Sequence, residues 1–234
     1  MSHTTDLPVQ PLSSAELKAR HLGQIAVEMP GATAIFRRLK LDFCCGGNVP
    51  LATACERKNL DADAVSTELM TLDRREQAPE ADTPDVLIDH ILTRYHDVHR
   101  RQLPELIRMA RRVEAVHKEN PACPLGLADH LESMQVELLD HMEKEESILF
   151  PMLRRGRGTF ASGPIHVMRM EHTSHGEQLA RLMELADDAV PPQGACTTWR
   201  ALYAGVEQLA GDLMEHIHLE NNRLFVQFER GVSN

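Results

Sequence analysis

His141-Met-Glu-Lys-Glu145-Glu-Ser-Ile-Leu149-Phe150 and His216-Ile-His-Leu-Glu220-Asn-Asn-Arg-Leu224-Phe225 repeat one pattern: a histidine, a glutamate four residues on, then a Leu-Phe pair. A gap of four puts His and Glu about 40° apart on one helical face, one turn above the other, so both reach a common point. Met134, Leu138 and Ile148 lie within about 60° of His141, and Leu202, Leu209 and Leu213 within about 60° of His216, so both faces are expected to be buried. A buried, unpaired carboxylate is costly, and two of them call for cations close by. A lone His-x3-Glu is usually an exposed i,i+4 pair. Two copies on apolar faces with matching tails point instead to metal ligands.

Two further apolar faces carry His96, with Leu92, Leu103 and Ile107, and His172, with Ile165, Met168 and Leu179. Each pair of helices thus supplies one His and one His-x3-Glu, offset between halves by about 75 residues, the pattern of a duplicated hairpin around a pseudo-twofold site. Four histidines and two glutamates suffice for two metals if each carboxylate bridges. Nitrogen and oxygen donors without thiolate favour iron, ahead of manganese and zinc. His99 and His175 lie only about 60° from His96 and His172, so helical geometry alone does not exclude them. Glu114-x-x-His117 and Glu215-x-x-His218 have the spacing of ferritin-like sites, but His218 falls about 200° from His216, and Glu114 and His117 sit at a helix end beside a proline-rich loop.

Working outward, the four amphipathic patterns run over residues 84–117, 125–153, 164–188 and 197–229. Their separators carry Pro121 and Pro124, then Gly156, Gly158 and Gly163, then Pro191, Pro192 and Gly194, so the connections are short and the bundle is up-and-down. Thr83-Pro84 reads as a cap and first turn, and Pro104 is expected to kink or interrupt the first helix. The polar, proline-punctuated stretch from Arg75 to Pro84 reads as a linker. Two domains follow: a small helical one over 1–78 and the bundle over 84–234. In the first, Pro30 is expected to open a helix bearing Ala34, Ile35, Phe36 and Leu39, which Gly46 and Gly47 end; Pro50 and Asp61 open two more.

The composition agrees with an all-α protein: of 234 residues 42% are hydrophobic and only 4% aromatic. Acidic residues outnumber basic ones 35 to 25, which disfavours nucleic acid. No secretory leader and no apolar run of roughly 20 residues is seen, so a cytoplasmic protein that does not enter the membrane is expected. Five unevenly spread cysteines fit reduced thiols. Cys44 and Cys45, adjacent and followed by Gly-Gly, are the second functional candidate. Neighbouring cysteines rarely bridge each other, so they are expected to exchange with an external thiol, metal or nitrosyl, whereas Cys55, Cys123 and Cys196 read as packing residues.

Asp42-Phe-Cys-Cys-Gly-Gly47, Asp89-His90, Arg94-Tyr95-His96, Gln102-Leu-Pro-Glu-Leu106, Lys144-Glu-Glu146, Ile148-Leu-Phe-Pro151, Cys196-Thr-Thr-Trp199 and Leu219-Glu-Asn-Asn222 resemble the repair-of-iron-centres family, the di-iron iron-sulfur cluster repair proteins of the ScdA and YtfE type, over nearly the whole chain. The resemblance implies a hemerythrin-like bundle. Its iron ligands fall on His96, His141, Glu145, His172, His216 and Glu220, and its paired cysteines on Cys44 and Cys45. It further implies two non-haem irons bridged by carboxylates and an oxo group, damaged or apo iron-sulfur proteins as clients, and a homodimer. The function implied is repair of clusters damaged by nitrosative or oxidative stress, by supplying iron, with Cys44 and Cys45 guiding it or capturing a nitrosyl. A nitric oxide scavenger and a di-iron nitric oxide reductase are the alternatives. Oxygen-carrying hemerythrins have a further histidine where this chain has Gly176, and a bridging Asp five residues after the last ligand histidine where this chain has Glu220 at four. The loss of one imidazole implies a more open site.

Overall fold

The computed structural model describes residues 13–72, 83–156 and 160–229; the expected linker, apart from Thr83 and Pro84, and Gly158 lie outside them. Backbone proximity divides the chain into two units, Met1–Ala78 and Pro79–Asn234. Among the described residues the chain is helical and no strand forms; an isolated antiparallel bridge pairs His21 with Pro50. None of the described helices is long and apolar enough to cross a membrane.

The N-terminal unit contains α1 (Ser14–Ala19), α2 (Leu22–Glu28), α3 (Ala32–Arg38), α4 (Leu51–Arg57) and α5 (Ala62–Met70). Ser13 and Glu16 form a reciprocal capping box on α1, and the Asp61 carboxylate accepts from the Asp63 and Ala64 amides to open α5. Pro50 stands at the N-cap of α4. Two details depart from the sequence reading. Pro30 does not open α3; it belongs to the turn before it, and Gly31, at φ 87°, takes the cap position. Nor do the glycines end that helix. Lys40, at φ 54°, turns the chain out of it, with the Leu41 amide donating to the Phe36 carbonyl at 2.8 Å. Gly47 instead serves close packing. Its carbonyl accepts from the Gly23 amide at 2.9 Å, and a Cβ on it would lie 2.6 Å from the Phe43 carbonyl oxygen and 3.1 Å from the Gly23 Cα.

The second unit is a bundle of four long helical stretches. The first comprises α6 (Pro84–Ile91), a wide π turn over Leu92–His96, and α7 (Asp97–His117). The next comprises α8 (Leu127–Lys144), a π turn over Glu145–Leu149 and α9 (Phe150–Arg154). The third is the uninterrupted α10 (Ser162–Leu185). The last joins α11 (Thr197–Leu219), a π turn over Glu220–Leu224 and α12 (Val226–Glu229). α7 packs on α8 and α11, and α10 packs on the same two, closing the square. Gly205 lets α11 approach α7, since a Cβ there would lie 2.6 Å from Leu106 Cδ2. α7 runs through Pro104 without interruption: the proline sits on the exposed face, where the carbonyl it deprives of a donor can take water. The break in regular geometry comes earlier, at the π turn ending on His96.

That turn type also corrects a facing assignment. Ile148 is 55% exposed, not part of the buried His141 face. The Phe150 amide reaches back five residues to the Glu145 carbonyl, which adds a residue to the turn and rotates Leu149 inward in place of Ile148. Leu149, Phe150, Leu224 and Phe225 join Leu87, Ile91, Ile165 and Met168 in an apolar cluster at one end of the bundle.

Candidate metal centre

All six side chains singled out by the duplicated spacing are buried together. His96, His172, His216, Glu145 and Glu220 are fully buried, and His141 is 1% exposed. Their donor atoms form two groups, each with atoms within 4.8 Å of one another: His96, His216, Glu145 and Glu220, and His141, His172, Glu145 and Glu220. Both glutamates belong to both groups. The π turns place them: Glu145 and Glu220 each begin one, and His96 ends the third. Wide turns of this kind recur at functional sites because they re-aim a side chain without ending the helix.

The ring nitrogens meet in pairs. His96 Nε2 lies 3.1 Å from His216 Nε2, and His141 Nε2 lies 3.1 Å from His172 Nε2. On the outer side, His96 Nδ1 donates to Glu146 Oε1 at 2.6 Å, and Arg100 holds that carboxylate at 2.8 Å. His141 Nδ1 donates to Glu171 Oε2 at 2.7 Å, and Lys144 pairs with Glu171 at 2.6 Å. His172 Nδ1 donates to Asn221 Oδ1 at 2.9 Å, and Arg169 fixes the amide by donating to the same oxygen at 3.3 Å. An imidazole whose Nδ1 proton is so used presents a lone pair at Nε2. Between His141 and His172, therefore, two lone pairs face each other, an arrangement that a shared cation stabilises and that no hydrogen bond can.

Electrostatics agree. Burial, then the neighbouring His216, pushes His96 down to about 4; burial and His172 push His141 down to about 2, so both rings are neutral at pH 7 and ready to coordinate. Neither oxygen of Glu145 finds a hydrogen-bond donor; the nearest ring nitrogens stand at 3.4 Å and 3.5 Å. Burial and the adjoining Glu220 carboxylate hold the Glu145 carboxyl well above its usual range. Burial acts in the same sense on Glu220, but His216, at 3.1 Å, and His172, at 3.1 Å, outweigh it and hold that carboxyl low. Two adjoining buried carboxyls pulled in opposite directions in this way call for a cation between them. The donor set, the facing lone pairs and the unsatisfied carboxylate all fit a metal site, and imidazole with carboxylate fits iron.

The duplicated Leu-Phe tails have a clear place here. Phe150 stacks on His96, centroids 5.8 Å apart and planes at 27°, and Phe225 stacks on His172 at 5.9 Å and 1°. Each tail covers the histidine of the preceding helix in its own hairpin, keeping water off the rings. His99 and His175 are buried neighbours: His99 packs 5.5 Å from the His216 ring, and His175 packs edge-on to His141 at 4.9 Å. Neither belongs to the two groups of converging donors.

The ferritin-like alternative is not assembled. Glu114 accepts from the Gly126 and Ala128 amides at 3.1 Å and 3.0 Å, capping α8. His218, expected to point away from the core, is 3% exposed and bonds Asn222 at 3.0 Å, because the last turns of α11 are buried on more than one face. His117 pairs with Cys196, Nε2 to Sγ at 3.2 Å, a contact that no spacing in the sequence signals. Cys55 is buried.

In the N-terminal unit Asp42, Cys44 and Cys45 come together. The thiols stand 3.6 Å apart and unbridged, with Cys44 Sγ 3.4 Å from Asp42 Oδ1 and the Cys45 amide donating to the same oxygen at 2.9 Å. Gly46 permits the tight loop, since a Cβ there would lie 2.9 Å from Asp42 Oδ2. The hydrogen bond to Cys45 and burial raise the Cys44 thiol well above its usual range.

Fold and site together define a hemerythrin-like bundle with a buried histidine-carboxylate cluster that fits a metal. Residues 87–228 match the Hemerythrin HHE cation binding domain, and residues 18–73 match a second family model, described as a Domain of Unknown function (DUF542). Over 219 residues, 92% of this chain and 99% of the relative, the chain is 49% identical to the "Iron-sulfur cluster repair protein YtfE" of Yersinia pseudotuberculosis serotype IB (strain PB1/+). It is 50% identical over 214 residues, 90% of this chain and 96% of the relative, to the protein of the same description from Dickeya chrysanthemi (strain Ech1591). The chain belongs to the family of hemerythrin-like iron-sulfur cluster repair proteins of the YtfE and ScdA type.

Proposed function

We propose that this chain repairs damaged iron-sulfur clusters from a di-iron centre in which His96 and His216 hold one iron, His141 and His172 the other, and Glu145 and Glu220 bridge them. The observation that carries the reading is the sharing of both glutamates between the two donor groups. Iron bound there supplies a redox-dependent store, held more loosely when ferrous. The chain's own residues do the rest: Glu146, Glu171 and Asn221 orient three rings through Nδ1, and Phe150 and Phe225 exclude water from the centre. Cys44 and Cys45 offer soft ligands for iron or a nitrosyl in transit to the client protein.

The test is recovery of an iron-sulfur protein whose cluster has been degraded by nitric oxide. Iron-loaded chain is expected to restore the cluster when sulfide is supplied, and a Cys44→Ser, Cys45→Ser double variant is expected to keep its bundle iron yet fail. Full repair by that variant removes the cysteines from the pathway. A second reading, nitric oxide binding or reduction, is favoured by the donor count: two imidazoles and two shared carboxylates leave iron positions for a small ligand. Steady release of nitrous oxide with an electron donor supports turnover, whereas stoichiometric uptake supports binding alone.

A further inference from the structure

The two halves of the centre are related by the repeated pattern, and the repetition fails at one atom. Glu171 and Tyr95 each immediately precede a ring of the centre, His172 and His96. Glu171 reaches across to His141 Nδ1 at 2.7 Å. Tyr95 reaches across to His216 in the corresponding way but lays its ring flat on the imidazole, centroids 5.4 Å apart and planes at 5°. His216 Nδ1 is left buried with no hydrogen-bond partner. The other two rings keep their acceptors, Glu146 for His96 and Asn221 for His172, each the residue just after a bridging glutamate. Each half thus has one imidazole held by a carboxylate. The second imidazole is held by an amide oxygen at His172 and by no acceptor at His216.

An acceptor at Nδ1 does two things for a ligating histidine: it fixes the ring's direction, and it pushes electron density toward Nε2. Tyr95, stacked on it, and His99, tilted at 34°, hold the His216 ring by packing, but neither supplies negative charge at Nδ1. A second observation points to the same half. A surface cavity of about 500 Å³, lined by Leu92, Arg100, Glu146, Phe150, Pro151 and Arg154, abuts Glu146 and Phe150, the residues that bond and stack on His96.

We propose that the two metal positions are unequal, and that the ion between His96 and His216 is the one released first, with Tyr95 as the residue that sets the difference. This rests on the di-iron reading of the site. Loss of an Nδ1 partner typically weakens metal binding about 10–100-fold, so release from the two positions is expected to differ by a factor in that range.

The experiment mixes anaerobically ferrous-loaded protein with excess of a coloured ferrous chelator and follows iron release in time. Wild type is expected to give two phases of equal amplitude, one iron each. Tyr95→Gln, which offers an amide oxygen to His216 Nδ1, is expected to slow the fast phase about tenfold and leave the slow one; Tyr95→Phe is expected to change neither. Glu171→Gln, at a half-exposed position where misfolding is no concern, is expected to speed only the slow phase. One phase releasing both irons overturns the inequality, and a fast phase that responds to Glu171→Gln but not to Tyr95→Gln overturns the assignment. Failure to retain two irons at the outset sinks the di-iron reading itself, and this inference with it.

Discussion

The ring of Phe225 lies parallel to that of His172, planes 1° apart and centroids separated by 5.9 Å. Phe225 is fully buried, ending the second Leu-Phe tail. Phe225→Ala removes both packing and seal, and is expected to cost about 3–5 kcal/mol of stability, with Phe225→Leu costing clearly less. Denaturant unfolding of the metal-free proteins measures this. If Phe225→Ala unfolds like wild type, the tail does not pack as described.

Acid and base are expected to destabilise the metal-free protein from opposite sides. His96, His99 and His141 are lowered to about 4, 2 and 2 from 6.5, so below pH 6.5 the unfolded chain takes up protons that the folded one refuses, and stability falls with acidification. Glu145 is raised from 4.5, so above that value the unfolded carboxyl loses a proton that the folded one keeps, and stability falls as pH rises toward the folded value. Burial lowers His175 in the same sense, so below pH 6.5 four histidines act against the single Glu145 carboxyl. Denaturant midpoints are therefore expected to rise as the pH is raised from about 4 to about 6.5. Metal loading places a cation beside Glu145 and is expected to remove the opposing carboxyl contribution; a metal-free midpoint that falls between about pH 4 and about pH 6.5 contradicts the buried, neutral histidines.

Gly47→Ala places a Cβ against two backbone atoms, the Phe43 carbonyl oxygen at 2.6 Å and the Gly23 Cα at 3.1 Å. Backbone cannot step aside as a side chain can, so the substitution is expected to destabilise the N-terminal unit by about 1–3 kcal/mol. Gly156→Ala meets no atom within 4 Å but sits at φ 68°, and is expected to cost about 1 kcal/mol from backbone strain alone. Thermal unfolding ranks the two.

Of the paired cysteines, Cys45 is expected to react first. Cys44 is 4% exposed, and its thiol is held high by Cys45 and by burial. Timed alkylation followed by peptide mass mapping should show label on Cys45 well before Cys44; the reverse order contradicts the loop geometry.

The helices of the bundle and the cluster of six buried donors were legible because both depend on period. His-x3-Glu on an apolar face is a statement about one helical turn, and its duplication gave the symmetry. What period could not show lies where the period changes. The π turns at His96, Glu145 and Glu220 leave no mark in composition, and they turned Ile148 outward. Contacts between distant segments were equally hidden: His117 with Cys196, Glu114 on the α8 amides, and Tyr95 flat on His216. Pro104 does not interrupt α7 because its face meets water, which can solvate the carbonyl that loses its donor. The end of α3 was misread because Lys40 took the left-handed conformation usually left to glycine.

The central claim is that Glu145 and Glu220 together hold two irons, and the direct measurement is iron per chain, by elemental analysis of protein purified without oxygen, for wild type and for a Glu145→Ala, Glu220→Ala double variant. The account expects about two irons per chain in the wild type and a loss of both in the variant, because each carboxylate belongs to both donor groups. An absence of iron in the wild type, or iron content indifferent to the loss of both glutamates, contradicts it.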